Sequence, residues 1–324
     1  MELPEETETA SKNRPLTLIG LAGVCNGIIG FCTLAGFAGA WWWILDLCSH
    51  FRLQYFFGAL ILAAFFGIKR QNTQTGVAAC IALINLIILQ PYLVETSADS
   101  NLASPTRVKA LWWNVQSANQ NRAESIEWIL KMSPDLIALG EITPEWEESL
   151  SKIKETYPFD HIESRQGNFG IALYSRLPLF NPEILYRNGS DNSVPTLQVE
   201  LNIEGKLVTV IATHPLPPVG SAATSERNAQ LQWLSRRIQG HNDATILFGD
   251  LNATPWNHAF KSFLETSGLE NLPTGLFTTW PTSFVPLKIP LDYCLVSKDI
   301  WVRSKELGPS LGSDHLPVIV DLTW

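Results

Sequence analysis

The stretch ATILFGDLN, residues 244–252, is typical of a buried strand that ends in polar chemistry. Its apolar residues form a short run that is bounded by Gly249, and they include β-branched side chains. Asp250 and Asn252 follow where the run ends. Two other runs have the same design, since residues 210–213 lead into His214 and residues 137–140 lead into Glu141. Each apolar run therefore places an acid, an amide or an imidazole at its carboxyl end.

Two further polar sites flank the last predicted strands. Asp292 follows Pro290 and Leu291, and the pair Asp314 and His315 precedes the final apolar run. Gathered carboxylates suit Mg²⁺, which prefers oxygen ligands, and histidines beside them indicate phosphoryl chemistry. Each signal alone is weak, because an Asp followed by an Asn is also a common turn after a strand. Five such sites in one domain favour the functional interpretation.

Short apolar runs alternate with amphipathic stretches over the rest of this part of the chain. We predict strands at 108–115, 135–140, 169–175, 195–203, 206–213, 244–249, 292–297 and 317–322. We predict helices at 122–132, 144–156, 224–239 and 256–266. The runs on either side of Glu204 and Gly205 predict a hairpin. Strand pairs mixed with helices indicate an α/β fold whose sheets have antiparallel content and are covered by helices.

The order of these motifs resembles the endonuclease/exonuclease/phosphatase superfamily. The resemblance covers about residues 107–324 and rests on LWWNVQ at 111–116, PDLIALGE at 134–141, GIALYSR at 170–176, THP at 213–215, GDLN at 249–252, LDY at 291–293 and SDHLP at 313–317. It implies a four-layer α/β sandwich of two facing mixed sheets flanked by helices. It also implies a metal-dependent phosphoesterase that uses Mg²⁺, with Mn²⁺ as the alternative ion.

The resemblance also implies a role for each motif residue. Glu141 is the expected principal metal ligand, Asn114 lies beside metal and phosphate, and Asp314 reaches the metal in some members. Asp250 is expected to orient and deprotonate the attacking water. Asn252 is expected to hold a phosphate oxygen, and Arg176 is expected to bind substrate. His315 is expected to donate to the phosphate, while Asp292 fixes the tautomer of His315. His214 is expected to assist the leaving group.

One position departs from the family pattern. Some members carry an Asp two residues after the motif Asn, and this chain has Gln116 there. The amide can contribute a carbonyl oxygen but no charge, so Glu141 remains the main anionic ligand on this side. Whether one or two metal ions act stays open.

The amino-terminal part of the chain has the composition of a membrane anchor. Residues 16–94 carry four charges, Asp46, Arg52, Lys69 and Arg70, whereas residues 95–324 carry 26 acidic and 18 basic side chains. Apolar runs at 16–40, 53–68 and 76–94 predict three transmembrane helices. A cleaved signal peptide that ends near residues 38–40 is the alternative for the first run.

Details of the anchor give three further expectations. Arg52, Lys69 and Arg70 are expected to snorkel at the ends of the short second run. Gly23 and Gly27 have the spacing of small residues at a helix contact. The positive-inside rule places the basic residues Lys12 and Arg14, before the first run, and Lys69 and Arg70, between the second and third, on the cytoplasmic side. With three spans, the catalytic domain is then expected on the extracytoplasmic side. Arg52, Arg107 and Lys109 oppose this orientation.

The predicted organisation is a polar tail at 1–15, a membrane anchor at 16–94, a linker at 95–106 and a catalytic domain at 107–324. The expected partners are the lipid bilayer, through residues 16–94, and a phosphoester substrate: a lipid, a nucleic acid or another envelope phosphoester. The net charge of −8 and the lack of a Lys/Arg run give no electrostatic footprint for duplex nucleic acid.

Two other functional classes remain at this stage. The first is a membrane-tethered binding module that keeps the fold without catalysis. The second is a serine hydrolase built on Ser310 in GPSLG at 308–312, which the flanking Pro309 and Gly312 disfavour because the motif needs a strand before the serine and a helix after it.

Overall fold

The computed structural model describes residues 17–93, 107–191, 193–240, 243–272 and 275–324. The predicted tail and linker lie outside these residues. The helices are α1 Leu18–Ala35, α2 Trp43–His50, α3 Arg52–Ile68, α4 Asn72–Leu89, α5 Arg122–Met132, α6 Pro144–Leu150, α7 Ser221–Gln239 and α8 His258–Ser267. The strands are β1 Arg107–Asn114, β2 Leu136–Gly140, β3 Phe159–Glu163, β4 Ile171–Ser175, β5 Phe180–Leu185, β6 Thr196–Ile203, β7 Lys206–Thr213, β8 Ala244–Asp250, β9 Asp292–Val296, β10 Trp301–Leu307 and β11 Val318–Thr323.

Two mixed sheets face each other between two layers of helices, which confirms the predicted four-layer sandwich. One sheet has the order β10-β11-β1-β2-β4-β3 and the other the order β5-β6-β7-β8-β9. Trp112, Leu173 and Phe248 belong to the core between the sheets. A second core, which includes Trp146, lies under α5 and α6, and a third, which includes Phe260, lies under α7 and α8.

The topology brings polar strand ends to one edge of both sheets. β1 runs parallel to β2 in the first sheet, and β7 runs parallel to β8 in the second. The carboxyl ends of each pair therefore lie side by side. β9 is antiparallel to β8 with Asp250 opposite Asp292, and β11 is antiparallel to β1. The start of each of these two strands consequently reaches the same edge.

All eight predicted strands and all four predicted helices of this domain exist, and three strands were missed. The missed strands are β3, β5 and β10. Each one lies at the edge of its sheet. Edge strands contact a neighbour on one side only, so their sequences need no continuous apolar run, and β5 even carries Pro182. The predicted hairpin is confirmed, with φ of 51° at Glu204 and 87° at Gly205 in its turn.

The anchor region contains two helices long and apolar enough to cross a membrane, Leu18–Ala38 and Asn72–Tyr92 with their terminal 3-10 turns. A third crossing is present if α2 and α3, which meet at an angle of 65°, count as one span. α1 and α4 run in the same direction, because Asn26 bonds to Gln74 while Asn85 bonds to Thr33 further along both helices. α3 therefore returns between them.

Two expectations for the anchor were wrong. Arg52 does not snorkel but is buried, and its Nη1 donates to the Thr33 carbonyl oxygen at 2.6 Å. The free carbonyls at the end of α1 attract a cation at this point. Gly23 and Gly27 do not contact another helix of the described chain, since no atom of a neighbouring helix lies within 4 Å of a Cβ placed at either position. Gly30 instead lies close to Ile81 on α4.

Helix α2 was not predicted, because its sequence is neither uniformly apolar nor amphipathic toward a bilayer. Its polar residues Asp46, Ser49 and His50 are all buried. They face the α/β sandwich, where Asn257 Nδ2 donates to Asp46 Oδ1 at 2.6 Å and to Ser49 Oγ at 3.1 Å. The helix is thus a docking element between the anchor and the sandwich.

Candidate active site

Asp250 lies at the centre of the polar cluster formed by the strand ends. Its Oδ2 is 3.4 Å from His214 Nε2 and 3.5 Å from His315 Nε2. Its Oδ1 accepts a hydrogen bond from the backbone N–H of Asn252 at 3.0 Å. Burial alone would raise the pKa of Asp250, but the charge of His315, the hydrogen bond and charge of His214, and the backbone N–H of Asn252 lower it. The carboxylate is thereby held ionised inside the protein.

A chain of hydrogen bonds orients His315. Asp292 Oδ2 is 2.7 Å from His315 Nδ1, and Asp292 Oδ1 accepts from the indole N–H of Trp112 at 2.8 Å. Burial opposes the charged imidazole, but Asp292 and Asp250 outweigh it and raise the pKa of His315 to about 10. Asp292 thus holds Nδ1 as a proton donor and directs Nε2 toward Asp250.

Glu141 and Asn114 form the other side of the cluster. Asn114 Nδ2 donates to Glu141 Oε1 at 3.0 Å and to Asp250 Oδ2 at 3.2 Å, so one amide connects the carboxylates of both sheets. The backbone N–H of Ser117 donates to Glu141 Oε2 at 2.9 Å. Glu141 has φ of 63°, which is uncommon for a residue with a side chain and brings the carboxylate out of the strand direction.

His214 contacts Asp250 and packs on an aromatic ring. Its ring centroid is 5.5 Å from that of Phe169. Burial would lower the pKa of His214, but the hydrogen bond and charge of Asp250, together with the charge of Glu141, raise it. Its Nδ1 is buried and has no hydrogen-bond partner among the described residues.

Asn252 and Asp314 complete the set that the structure brings together. Asn252 Nδ2 donates to the Pro215 carbonyl at 3.0 Å, and Asn252 has a positive φ of 49°. Asp314 Oδ2 accepts from the indole N–H of Trp280 at 3.0 Å. The Gln116 side-chain oxygen accepts from the backbone N–H of Asp314 at 3.2 Å, so this bond occupies the oxygen that replaces the family carboxylate.

Arg176 is the one predicted site residue that the structure places elsewhere. β4 is antiparallel to β2, with Ser175 opposite Leu136 and Ile171 opposite Gly140. Arg176 follows the far end of β4, at the opposite edge of the sheet from Glu141. Its guanidinium donates to Ser133 and Asp135. The motif therefore reaches the site through the beginning of β4, not through its arginine.

A pocket with a volume of about 330 Å³ opens over these groups. The residues that line it are Leu47, His50, Phe51, Glu141, Asn168, Phe169, His214, Pro217, Pro218, Val219, Asp250, Asn252, Trp280, Ile289, Leu291, Asp314 and His315. The first three belong to the anchor region and had no signal in the sequence, because apolar residues and a lone histidine there are indistinguishable from the rest of the anchor. Asn168 and Phe169 directly precede the GIALYSR motif, so the position of that motif in the sequence could have indicated them.

The residues that face the pocket suit a divalent cation. Glu141, Asp250 and Asp314 bring three carboxylates to one buried cavity, an oxygen-rich donor set that favours a hard cation. Ligand atoms of Asp250, Asp292 and His315 form a tighter group, all within 4.8 Å of one another. However, both oxygens of Asp292 are already bonded to Trp112 and His315, and Asp292 does not line the pocket. The pocket-facing carboxylates are therefore better placed than Asp292 to meet a cation.

Comparison with known proteins agrees with this architecture. The model of the Endonuclease/Exonuclease/phosphatase family matches residues 111–315. No curated protein matches the chain.

Solved structures share the fold at low sequence identity. An endonuclease/exonuclease/phosphatase from Bacteroides vulgatus is 17% identical, covers 67% of this chain and 99% of its own, and has a TM-score of 0.59. D. rerio TDP2 complexed with a single-strand DNA product is 18% identical, with coverages of 68% and 100% and a TM-score of 0.54. A mannosyl-6-phosphatase from Bacteroides thetaiotaomicron is 16% identical, with coverages of 67% and 100% and a TM-score of 0.52.

Proposed function

The chain belongs to the endonuclease/exonuclease/phosphatase family, and we propose that it is a membrane-anchored, Mg²⁺-dependent phosphoesterase that hydrolyses a phosphodiester or a phosphomonoester. The proposal also includes the division into an anchor at 16–94 and a catalytic domain at 107–324. The observation that carries it is the convergence on Asp250 of two histidines and a bridging amide, with Glu141 on the same cavity wall.

Glu141 and Asp314 are the residues that would hold the cation, and Asp250, on the same pocket, is kept for the attacking water. When bound there, Mg²⁺ supplies positive charge against the phosphate oxygens and favours attack at phosphorus. Asn114 keeps the carboxylates of Glu141 and Asp250 at a fixed spacing through its two hydrogen bonds. We assign it a positioning role in addition to the expected place beside the phosphate.

The protein groups account for each proton. Asp250 takes a proton from the attacking water, whose oxygen forms the new bond to phosphorus. The bond from phosphorus to the ester oxygen breaks, and the departing alcohol takes a proton from His214. His315 donates a hydrogen bond to a phosphate oxygen as negative charge accumulates, while Asn252 contacts a second oxygen. The products are an alcohol and a phosphate with one ester fewer.

Localisation is part of the same proposal. Arg52 is buried within the anchor, so its charge does not face water at either membrane surface. It therefore does not oppose the orientation that the positive-inside rule predicts. Lys69 and Arg70, at the turn between α3 and α4, are exposed at the opposite end of the anchor from α2. We therefore propose a multi-pass protein with its catalytic domain on the extracytoplasmic side.

The alternative functions have less support. A binding module without catalysis has no use for two buried histidines oriented by carboxylates. Ser310 is exposed in the loop between β10 and β11, without a helix after it, so it lacks the geometry of a nucleophile elbow.

Turnover assays on the full chain in detergent test the proposal. We expect EDTA-sensitive hydrolysis of bis(4-nitrophenyl) phosphate or 4-nitrophenyl phosphate, and a loss of about 10²-fold or more in Glu141→Gln and His315→Gln. Arg176→Gln and the exposed His258→Gln should retain activity within about twofold, the size of a surface effect. Turnover that is insensitive to EDTA, or unchanged in both site variants, would refute the enzyme.

A further inference from the structure

The wall of the active-site pocket is built in part by the membrane anchor. Leu47, His50 and Phe51 come from α2 and the break before α3, and they line the same cavity as Glu141 and His315. The anchor and the proposed reacting groups thus share one cavity. The position of the pocket relative to a bilayer is therefore determined by the fold.

Hydrogen bonds hold the catalytic domain against the end of the anchor. Trp256 Nε1 donates to the His50 carbonyl at 3.2 Å, and Tyr92, at the end of α4, donates to the Pro255 carbonyl at 3.1 Å. Gln54, in the first turn of α3, donates to the Lys288 carbonyl at 3.0 Å. The three contacts involve α2, α3 and α4, so the domain sits at the end of the whole helical bundle.

The surface beside the pocket is apolar where it meets the anchor. Phe284, Val285 and Leu287 form an exposed loop that directly precedes Lys288, the residue bonded to Gln54, and Val285 is 70% exposed. Val219, which lines the pocket, is 77% exposed. Exposed apolar residues at the height of a membrane boundary are typical of surfaces that enter the lipid interface.

The charge of the pocket disfavours a nucleic acid. Among the described residues that line it there is no Lys or Arg. A polynucleotide carries a phosphate on every residue, and proteins that bind one neutralise the flanking phosphates with basic side chains. A substrate with a single phosphoester group and an apolar remainder fits this lining better.

His50 offers the pocket a polar ring whose nitrogens have no hydrogen bond within the described chain. The side chain is buried, lines the pocket, and has no hydrogen-bond partner at either ring nitrogen within the described chain. Its Nε2 is 3.8 Å from Asp46 Oδ2, beyond hydrogen-bond distance. A buried imidazole without a partner is costly unless a ligand supplies one.

We propose that the substrate is a membrane lipid whose phosphoester headgroup enters this pocket from the bilayer, with its apolar chains against Leu47, Phe51 and the loop 284–287, and with His50 bonded to the headgroup. This rests on the proposed phosphoesterase activity and names its substrate class. The lipid stays in the membrane while its head reaches the catalytic groups, because the anchor sets the pocket at the height of the interface.

Turnover of matched lipids is the first test. The full chain in vesicles is given phosphatidic acid, phosphatidylglycerol and phosphatidylethanolamine, each with dioleoyl and with soluble dihexanoyl chains, and hydrolysis is followed by phosphorus NMR. A single-stranded oligonucleotide and bis(4-nitrophenyl) phosphate are assayed beside them. We expect one dioleoyl lipid to have the highest kcat/KM, and His50→Leu to raise its KM with little change in kcat.

Surface variants separate lipid access from chemistry. Val285→Glu should reduce hydrolysis of the dioleoyl lipid by about tenfold, because a charge replaces an exposed apolar side chain that would contact the lipid, and should leave the soluble diester within about twofold. Leu207→Glu is the matched control, since Leu207 is also exposed but lies at the start of β7, far from the pocket edge of the sheet. It should change neither rate.

A binding measurement makes the outcome independent of turnover. A phosphatidylglycerol with a photoreactive group on its head is cross-linked to the His315→Gln chain, and the labelled peptides are mapped. Labelling at residues 217–219 supports the inference, because these residues belong to the catalytic domain. Labelling confined to α1, α3 and α4 overturns it.

The turnover rates can also overturn the inference. A higher kcat/KM for the oligonucleotide or for the dihexanoyl lipids than for the dioleoyl lipids would do so. If the protein hydrolyses the soluble diester and none of the lipids, only the proposed substrate class is wrong. If it hydrolyses no phosphoester at all, both proposals are refuted.

Discussion

At the residue scale, the site depends on how each ionisable side chain is held. Asp250 contacts both histidines, whereas Asp292 contacts only one of them, His315. The two carboxylates therefore have different tasks, although they lie opposite each other in β8 and β9. Asp250 faces the pocket and can meet water. Asp292 is enclosed between Trp112 and His315, which makes it a positioning residue.

Replacing Asp292 should therefore impair catalysis without removing a pocket-lining group. In Asp292→Asn we expect kcat to fall by about 10²-fold to 10⁴-fold, because the imidazole loses its fixed tautomer. The alkaline limb of the pH–rate profile should also move to lower pH, since the Asp292 charge raises the pKa of His315 toward about 10. Rates measured across pH check both effects. The exposed Asp299→Asn is the control, and an unshifted alkaline limb would contradict the assignment.

Lys305 on β10 predicts a pH dependence of stability. Burial lowers the pKa of Lys305 from 10.5 to about 8, against the opposing charges of Cys294 and Asp292. Between those values the unfolded chain holds a proton that the folded chain has released, so the free energy of unfolding rises with pH in this window. Below pH 8 the buried charge costs up to about 3 kcal/mol.

Lys305→Met should remove that cost. We expect the variant to be more stable than the wild type at pH 7 and to lose the rise between about pH 8 and pH 10.5. Chemical denaturation at a series of pH values measures this. Lys298→Met, at an exposed position, should leave the wild-type slope in place.

At the element scale, close contact between strands positions the catalytic side chains. Gly249 lies opposite Thr213 in the parallel pair of β8 and β7. A Cβ at Gly249 would lie 2.5 Å from the Thr213 carbonyl oxygen and 2.9 Å from Leu251 Cδ2. The glycine therefore allows the ends of two strands to approach, and the next residues along them, His214 and Asp250, come within 3.4 Å of each other.

Gly249→Ala should separate the two strand ends. We expect a loss of about 1–3 kcal/mol in the free energy of unfolding, as for other overpacked sites, together with reduced turnover. Gly240→Ala at the end of α7 is the matched control, because the nearest heavy atom to its added Cβ would be at 3.4 Å. Denaturation and turnover assays on both variants test this; equal effects would show that strand approach is not the cause.

At the scale of the whole molecule, a buried ion pair joins the anchor to the active site. Arg227 Nη2 is 2.6 Å from Asp46 Oδ2, and both side chains are buried. Arg227 Nη1 donates to the backbone carbonyl of Asn252 at 2.8 Å. A charge in α2 thus supports the backbone of a predicted catalytic residue through one side chain of α7.

Breaking this pair should be costly. In Asp46→Ala the buried guanidinium loses its counter-charge, and we expect a loss of about 3–5 kcal/mol in stability. Turnover should fall too, because Arg227 also holds Asn252. Glu183→Ala removes the partner of Arg237 in an exposed pair and should change stability by at most about 1 kcal/mol. Comparable losses in the two variants, measured by thermal unfolding in detergent, would contradict the role of the buried pair.

The sequence by itself determined eight of the eleven described strands and the four helices of the domain at 107–324, together with eight of the nine predicted site residues, which the structure brings into one cluster. Six of those eight line the pocket. These follow from local rules: buried strands need apolar runs, and a polar residue after such a run lies at the sheet edge. The position of Arg176 could not be predicted in this way, because the direction of β4 in the sheet depends on its pairing with β2 and not on its own residues.

Only the tertiary structure decided how the anchor meets the catalytic domain. The sequence of residues 41–54 does not show what α2 contacts, because the partners of Asp46 and Arg52 are distant in the chain. Arg52 bonds to Thr33, and Asp46 bonds to Arg227 and Asn257. Long-range contacts of this kind depend on the packing of whole elements, and so the shared pocket of anchor and sandwich is visible only in the folded molecule.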